Sequence, residues 1–367
     1  MRVHVVDPPA YTPPYDRALC AALARAGASV TLVTSRFGYG SVAPAAGFAV
    51  DERFYRLAGR AGRPGSRARF AARLAEHVPE MLAYRRAARA ADVVHFQWLT
   101  VQPVDVHLLP RRRPVVLTAH DVLPREPRRG QRDAQRRLYE RVDAVVVHSE
   151  HGRRRLAGEV GVDPAKVHVI PHGAFEHLRD VAPGELPAEL RDGGGPVVLM
   201  FGLLRPYKGL DVLLEAWRGV DGAELWVVGM PRMDVGPLRA GAPPSVRFVE
   251  RFVDDAEVAA LFRRADLVVL PYREIEQSGV LFTALAFGRP LVLSDVGGFA
   301  EVAATGAAEL VPPGDAEALR ATLSRLLADG AARERLAAAA ARAARERYGW
   351  AAIARRHLEL YGTLVGR

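Results

Sequence analysis

Short runs of apolar residues alternate with longer amphipathic stretches over most of the chain. Apolar runs of about four to eight residues between turn residues are typical of strands, and the amphipathic stretches are typical of helices. Because strands that alternate with helices form parallel βαβ units, the pattern predicts an α/β fold. The predicted strands are 3–6, 29–34, 92–96, 114–118, 144–148, 196–201, 224–228, 246–248, 267–270 and 290–293.

Glycine and proline residues cluster between the fifth and sixth predicted strands, where the strand–helix pattern breaks and then restarts. We therefore expect a first domain over 1–172, a linker over 173–195 and a second domain over 196–347. A chain of 367 residues fits two domains, because single hydrophobic cores stop growing near about 250–300 residues. Beyond Asp315 the pattern is helical to the end of the chain.

The net charge of +9 is distributed unevenly along the chain. Residues 1–180 contain 29 basic and 18 acidic side chains, whereas residues 181–367 contain 22 and 24. This asymmetry suits contact with an anionic membrane surface, and a solvated arginine-rich face explains it equally well. Nucleic acid is not an expected partner, because the arginine-rich stretches lack the interleaved aromatic residues of a stacking surface.

Cysteine content and hydropathy indicate the compartment. A single cysteine, Cys20, excludes a disulfide framework and a multi-cysteine metal cluster. The chain starts directly on a strand-like segment, and no apolar run reaches the roughly 20 residues that span a bilayer. We expect a cytoplasmic protein, with peripheral contact at the inner face of the membrane if the basic half binds anionic lipid.

The sharpest local motif lies between residues 201 and 210, after a strand and before a helix. Gly202 allows close backbone approach, and the helix start attracts anions. Arg205 and Lys208 add positive charge, and Lys208 is one of only two lysines in the chain. Such a compact cation suits a phosphate. An ordinary helix start with surface charges is the alternative.

A second motif lies between residues 274 and 288, after the strand 267–270. Ser278 and Gly279 stand where a loop becomes a helix, so their N–H groups are candidates for binding a second part of the same anion. Glu276 and Gln277 are candidates for binding hydroxyl groups. A simple helix N-cap at Ser278 is the alternative.

His120 and Asp121 follow the strand 114–118 and form the third candidate. A histidine beside an aspartate at a strand end is suited to bind or orient a ligand. A lone histidine is more often structural, and His95, His148 and His172 are interpreted as structural or hinge residues.

Together these motifs resemble the retaining glycosyltransferases of family 4. That family has the GT-B architecture, in which two Rossmann-like domains face each other across a donor/acceptor cleft. The end of the chain, about 348–367, is similar to the family's terminal helix, which crosses back to the first domain. The segments that carry the resemblance are 118–121, 169–173, 205–208, 277–279, 294–301 and 348–350.

The resemblance implies a nucleotide-sugar donor held mainly by the second domain and a hydroxyl acceptor. Arg205 and Lys208 would neutralise the diphosphate, and His120 would contact the donor sugar, so these three are the expected catalytic residues. Asp121 is expected on the acceptor side. The family implies no cofactor and no catalytic metal. The implied donor-binding residues are Gly202, Phe252, Glu276, Gln277, Ser278, Gly279, Val280 and Thr283.

The sequence departs from the family at the second motif. Thr283 stands where a second glutamate usually holds the nucleotide ribose. Because of this departure, a catalytically silent GT-B protein that binds a sugar nucleotide is an alternative function. A nucleotide-sugar epimerase is a less favoured alternative. The acceptor remains open among a glycan, a lipid-linked sugar and a small natural product. The arginines of 60–89 would form the basic face for a membrane.

Overall fold

The computed structural model describes residues 1–38, 40, 42–58, 66–99, 101–123, 129–190 and 194–366. It divides the chain into two compact units. The first unit comprises Met1–Gly173 and Trp350–Arg367, and the second comprises Ala174–Gly349. Most of the segment expected to link the domains therefore groups with the second unit. Residues 60–65 of the expected basic face and 191–193 of the expected linker lie outside the described residues.

The first unit contains a seven-stranded, wholly parallel sheet. Its strands are β1 (Arg2–Asp7), β2 (Ser29–Ser35), β3 (Ala49–Phe54), β4 (Val93–Phe96), β5 (Val115–Thr118), β6 (Ala144–Val147) and β7 (Val167–Val169). The order across the sheet is β3-β2-β1-β4-β5-β6-β7. Every residue of β4, β5 and β6 is buried, as expected for central strands with helices on both faces.

The second unit contains a six-stranded parallel sheet in the order β10-β9-β8-β11-β12-β13. Its strands are β8 (Val197–Phe201), β9 (Glu224–Val228), β10 (Val246–Val249), β11 (Leu267–Leu270), β12 (Leu291–Ser294) and β13 (Ala308–Val311). The prediction of an α/β protein with two Rossmann-like sheets is confirmed. The sequence pattern missed β3, β7 and β13, all of which lie at sheet edges where polar residues interrupt the apolar runs.

Helices connect the strands in both units. They are α1 (Pro13–Arg25), α2 (Arg67–Ala87), α3 (Gln102–Leu108), α4 (Gln131–Arg141), α5 (Glu150–Gly158), α6 (His177–Asp180), α7 (Leu210–Trp217), α8 (Gly236–Ala240), α9 (Asp255–Arg264), α10 (Gly279–Ala286), α11 (Phe299–Ala303), α12 (Ala316–Ala328), α13 (Gly330–Glu346) and α14 (Trp350–Val365). Side-chain caps fix several starts, including a capping box between Asp254 and Glu257 at α9. In the described part of the chain, no helix combines the length and the apolar character that crossing a bilayer requires.

The last helix belongs to the first unit, as the family resemblance implied. α14 packs against α1, where the rings of Tyr15 and Trp350 lie 5.4 Å apart between their centres. The indole of Trp350 also lies so close to Gly173 that a Cβ at that position would collide with it. Glycine is therefore required at the point where the chain leaves the first unit.

Candidate functional site

The second sheet has a topological switch point between β8 and β11. From β8 the sheet extends through β9 and β10 on one side, and from β11 through β12 and β13 on the other. The loops after two such strands diverge and leave a crevice at the carboxyl ends of the strands, which is the usual ligand site of an open α/β sheet. The two strongest sequence motifs, 202–208 and 276–283, follow these two strands.

Gly202 brings the backbone of the loop after β8 against the side chain of Lys208. The φ angle of Gly202 is +102°, and a Cβ there would lie 2.8 Å from Lys208 Nζ and 3.0 Å from Val280 Cγ2. Lys208 is only 6% exposed, and its Nζ lies 5.1 Å from the centre of the Tyr272 ring, which attracts a cation. The structure thus brings three predicted residues together around one ammonium group.

Arg273, which lies outside the sequence motifs, holds the Lys208 loop in place. Its backbone N–H donates to the Tyr207 carbonyl oxygen at 2.7 Å, and its guanidinium donates to both carboxylate oxygens of Asp211 at 2.8 and 2.6 Å. These bonds lower the pKa of Asp211 and raise that of Arg273. The half-buried Arg205 of the same loop forms no ion pair with any described residue. Its charge is therefore available to an anion.

Glu276 and Gln277 lie in the loop between β11 and α10. Glu276 is 7% exposed, and its carbonyl oxygen accepts a hydrogen bond of 3.3 Å from the Gly298 N–H. The Oε1 atom of Gln277 is buried and has no hydrogen-bond partner among the described residues. Buried polar atoms are nearly always hydrogen-bonded in folded proteins, so this oxygen is a candidate for a bound hydroxyl group.

Ser278 and Thr283 differ in what their hydroxyl groups bind. Ser278 stands before the first residue of α10, yet its side chain accepts no hydrogen bond from a helix N–H, so the simple N-cap interpretation is not supported. Thr283 Oγ1 donates to the Gly279 carbonyl oxygen at 3.0 Å, within the helix. Because the hydroxyl proton of Thr283 is donated within the helix, this side chain can only accept a hydrogen bond from a ribose hydroxyl.

Phe252 lies in the loop after β10, at the edge of the same sheet, and is 48% exposed. The neighbouring Arg251 donates to the Phe252 carbonyl oxygen at 3.1 Å and to both carboxylate oxygens of Glu257 at 3.0 and 2.6 Å. These bonds hold the backbone of Phe252 in place, while the Phe252 ring remains accessible to solvent. An exposed aromatic ring on an ordered loop can stack against a planar base.

The first sheet has its own switch point, between β1 and β4, and His120 lies in a cluster close to it. The His120 ring stacks on Trp98, with centres 4.9 Å apart and planes 12° apart, and meets the edge of Tyr15 at 4.9 Å. His120 Nε2 lies 3.2 Å from the side-chain oxygen assigned to Gln97. His120 Nδ1 lies 3.2 Å from His148 Nε2. Both ring nitrogens therefore have partners within this unit.

Two histidines interpreted as structural belong to the same cluster. His148 Nδ1 lies 3.0 Å from the Ile170 carbonyl oxygen, and His172 Nδ1 lies 2.8 Å from the Gly173 carbonyl oxygen. Burial lowers the pKa of His148 to about 4 and also lowers the pKa of His120 and His172. All three rings are therefore neutral near pH 7.

A cavity of about 270 Å³ opens beside His120 and Asp121. The Tyr139 hydroxyl donates to the Val122 carbonyl oxygen at 2.8 Å and thereby holds the loop that carries Asp121. No sequence motif pointed to Gln97, although this residue directly follows the buried strand β4. The polar and aromatic residues of the wall include Tyr11, Gln97, Trp98, Gln102, Gln131 and Gln135.

Two family models match the chain. Residues 17–174 match the family described as Glycosyltransferase Family 4. Residues 195–329 match the family described as Glycosyl transferases group 1. The two matches together cover most of both units.

Named relatives are similar over large parts of the chain. A phosphatidyl-myo-inositol mannosyltransferase of Mycobacterium leprae is 36% identical over 237 residues, 62% of this chain and 61% of the relative. A D-inositol 3-phosphate glycosyltransferase of Kineococcus radiotolerans is 30% identical over 321 residues, 77% of this chain and 73% of the relative. The sucrose-phosphate synthase structure from Thermosynechococcus elongatus matches with a TM-score of 0.77 at 22% identity, covering 100% and 99% of the two chains. That structural match supports the fold.

Proposed function

Because the chain belongs to glycosyltransferase family 4, we propose that it transfers a sugar from a nucleotide-diphosphate-sugar donor to a hydroxyl group of an acceptor, with retention of the anomeric configuration and without a catalytic metal. The second unit holds the donor. The observation that carries this proposal is the buried ammonium of Lys208 beside Gly202, at the switch point of the sheet.

The reaction breaks the bond between the anomeric carbon and the β-phosphate oxygen and forms a bond from that carbon to the acceptor oxygen. The proton of the acceptor hydroxyl passes to the departing phosphate oxygen, so the nucleoside diphosphate leaves with that proton and no net charge is left on the glycosylated product. Lys208 and Arg205 stabilise the negative charge that develops on the departing phosphate. Gln277 and Ser278 bind the sugar and the distal phosphate, and Glu276 binds sugar hydroxyls.

The acceptor side belongs to the first unit, with Asp121 and the cavity beside it. The relatives' names describe an inositol that carries a phosphate, and the inositol ring itself is polyhydroxylated. A cavity of about 270 Å³ lined by amides and an indole suits such a ring. We therefore expect a polyol or sugar hydroxyl as the nucleophile.

A surface of the first unit supports peripheral contact with an anionic membrane, through what we name the α2 face. Phe70, Leu74, Val78 and Leu82 recur every fourth residue along α2 and are between 39% and 62% exposed. Beyond Leu82 lies a groove of about 680 Å³. An apolar helical stripe beside a cluster of cations is the pattern of an interfacial helix. The arginines that line the groove are Arg85, Arg86, Arg89, Arg111, Arg112 and Arg113.

The test begins with thermal melts of the protein in UDP, GDP, ADP, TDP and their sugar conjugates. A ligand at 100 times its dissociation constant stabilises the folded state by about 2.7 kcal/mol. We expect stabilisation by one nucleotide, lost in Lys208→Ala and retained in Lys166→Ala, which replaces the other lysine, in the first unit. Sugar transfer by Lys208→Ala at the wild-type rate would contradict the assignment. Nucleotide binding without transfer to any acceptor would favour the silent alternative, and conversion of the donor sugar alone would favour the epimerase.

A further inference from the structure

Four polar groups of the first unit form a continuous hydrogen-bonded chain that ends at the cavity beside His120. The chain starts at the Ile170 carbonyl oxygen, 3.0 Å from His148 Nδ1. It continues from His148 Nε2 to His120 Nδ1 at 3.2 Å, and from His120 Nε2 to the Gln97 amide at 3.2 Å. We name these groups the histidine relay.

The first group of the relay fixes the direction of every bond in it. A carbonyl oxygen can only accept, so the proton of the neutral His148 ring must be on Nδ1. His148 Nε2 then carries a lone pair, and His120 must donate to it from Nδ1. The second nitrogen of His120, Nε2, is therefore also an acceptor. A second proton on either ring is opposed by burial, which lowers the pKa of both histidines.

The last group, Gln97, must therefore donate to His120 through its NH2 group. The oxygen and nitrogen of a side-chain amide are interchangeable in shape and are assigned from their hydrogen bonds. The Gln97 atom 3.2 Å from His120 Nε2 is thus the amide nitrogen, and the carbonyl oxygen is the second atom of the amide. This second atom is buried and has no hydrogen-bond partner among the described residues.

Gln97 is 1% exposed and forms part of the wall of the 270 Å³ cavity. A buried amide oxygen without a partner is costly, which indicates that a bound molecule supplies the missing donor. Among the described residues that line this cavity there is no arginine or lysine, although the unit as a whole is strongly basic.

We propose that Gln97 determines acceptor specificity: the histidine relay leaves its carbonyl oxygen as the group that accepts a hydrogen bond from a hydroxyl of an uncharged polyol in this cavity. A carboxylate or a doubly ionised phosphate offers no hydrogen and is rejected at this position. His148 is a positioning residue that acts through His120. The inference rests on the proposed function, because it names the acceptor class of the same transfer reaction.

The relay itself is tested first, without any ligand. Two-bond ¹H–¹⁵N correlation spectra of the histidine-labelled protein at neutral pH distinguish protonated from unprotonated ring nitrogens. We expect the proton on Nδ1 in both His148 and His120. In Gln97→Glu a carboxylate replaces the donor, so His120 Nε2 should gain a proton. Detection of the proton on His120 Nε2 in the wild-type protein, unchanged in Gln97→Glu, would overturn the proposal.

Acceptor choice is tested with myo-inositol and myo-inositol 1-phosphate as probes. Gln97→Met keeps the side-chain length but removes the amide, and we expect it to raise KM for the neutral polyol roughly tenfold with a smaller change in kcat. Preference of the wild-type enzyme for the phosphate, or an unchanged KM in the variant, would overturn the proposal.

Failure of the proposed function would be recognised separately. If the protein binds no sugar nucleotide in thermal melts, the transfer reaction is wrong, and KM is not measurable. The side-chain amide resonances of Gln97 then report directly on polyol binding. A shift with myo-inositol but not with its phosphate would support the specificity of the cavity, and no shift with either would overturn it.

Discussion

The guanidinium of Arg273 donates two hydrogen bonds, of 2.8 and 2.6 Å, to the two carboxylate oxygens of Asp211. Arg273 follows β11 and Asp211 lies in the first turn of α7, so this pair joins the loops that follow two neighbouring strands. The Arg273 side chain also donates to the Pro206 carbonyl oxygen at 3.1 Å. The pair therefore fixes the backbone that carries Arg205 and Lys208.

Replacing Arg273 with alanine should weaken nucleotide binding about tenfold, because the Lys208 loop loses its tie to the loop after β11. Stability should change by less than about 1 kcal/mol, since both side chains of the ion pair are 43–50% exposed. Isothermal titration with the nucleotide found in the melts measures the first effect. Arg239→Ala is the matched control, because Arg239 forms an exposed ion pair with Glu250 on the same unit. Equal loss of affinity in both variants would contradict a specific role for Arg273.

Gly202→Ala should abolish nucleotide binding by displacing Lys208. The added Cβ would lie 2.8 Å from Lys208 Nζ, so the ammonium must move. Gly222→Ala is the control, because Gly222 also has a left-handed φ, of +72°, but a Cβ there meets nothing within 4 Å. Both variants should lose about 1 kcal/mol of stability from backbone strain, and only Gly202→Ala should lose affinity. Retained binding in folded Gly202→Ala would show that the position of Lys208 is not required.

Stability should fall as the pH is lowered from 6.5 toward 4, because buried histidines of the first unit stay neutral when folded. Burial lowers the pKa of His148 and of His357 to about 4, and that of His95 well below its usual value. The unfolded chain binds protons near pH 6.5, so in this window it binds more protons than the folded chain. Each such histidine contributes up to about 1.4 kcal/mol per pH unit. Asp7 and Asp16 act in the opposite direction, because burial raises their pKa.

Urea denaturation across this pH range, with His357→Asn, isolates one of these contributions. The variant should reduce the pH slope of the unfolding free energy by the equivalent of one proton. An unaltered slope in His357→Asn would mean that His357 is protonated in the folded state.

The α2 face should bind vesicles of phosphatidylglycerol and not vesicles of phosphatidylcholine, with binding that weakens steeply as salt is added. Replacing Phe70 and Leu74 with glutamate should abolish co-sedimentation, because both apolar contact and charge attraction are lost. Leu310→Glu, which alters an exposed leucine of the second unit, should have no effect. Absence of binding by the wild-type protein at low salt would remove the membrane proposal.

The sequence predicted the central strands well because their burial leaves a direct trace in the chain. β4, β5, β6, β11 and β12 are buried at every position and consist of apolar residues, except for the buried His95 in β4 and the last residues of β5 and β12, Thr118 and Ser294. Edge strands such as β3, with sequence Ala49–Phe54, carry polar residues on a solvent-facing side and lack that trace. Their pairing depends on neighbours that are distant in sequence.

By itself, the sequence determined the α/β class, the break into two sheets and the glycine and lysine of the motif after β8, because burial and turn chemistry act on neighbouring residues. Only the tertiary structure decided which side chains hold the candidate site together. Arg273 meets Asp211 across 62 positions, and His148 reaches His120 across 28, through the adjacency of parallel strands. Which atom donates in the His148–His120 contact depends on the partners that the fold places around both rings, and a local sequence pattern does not contain that information.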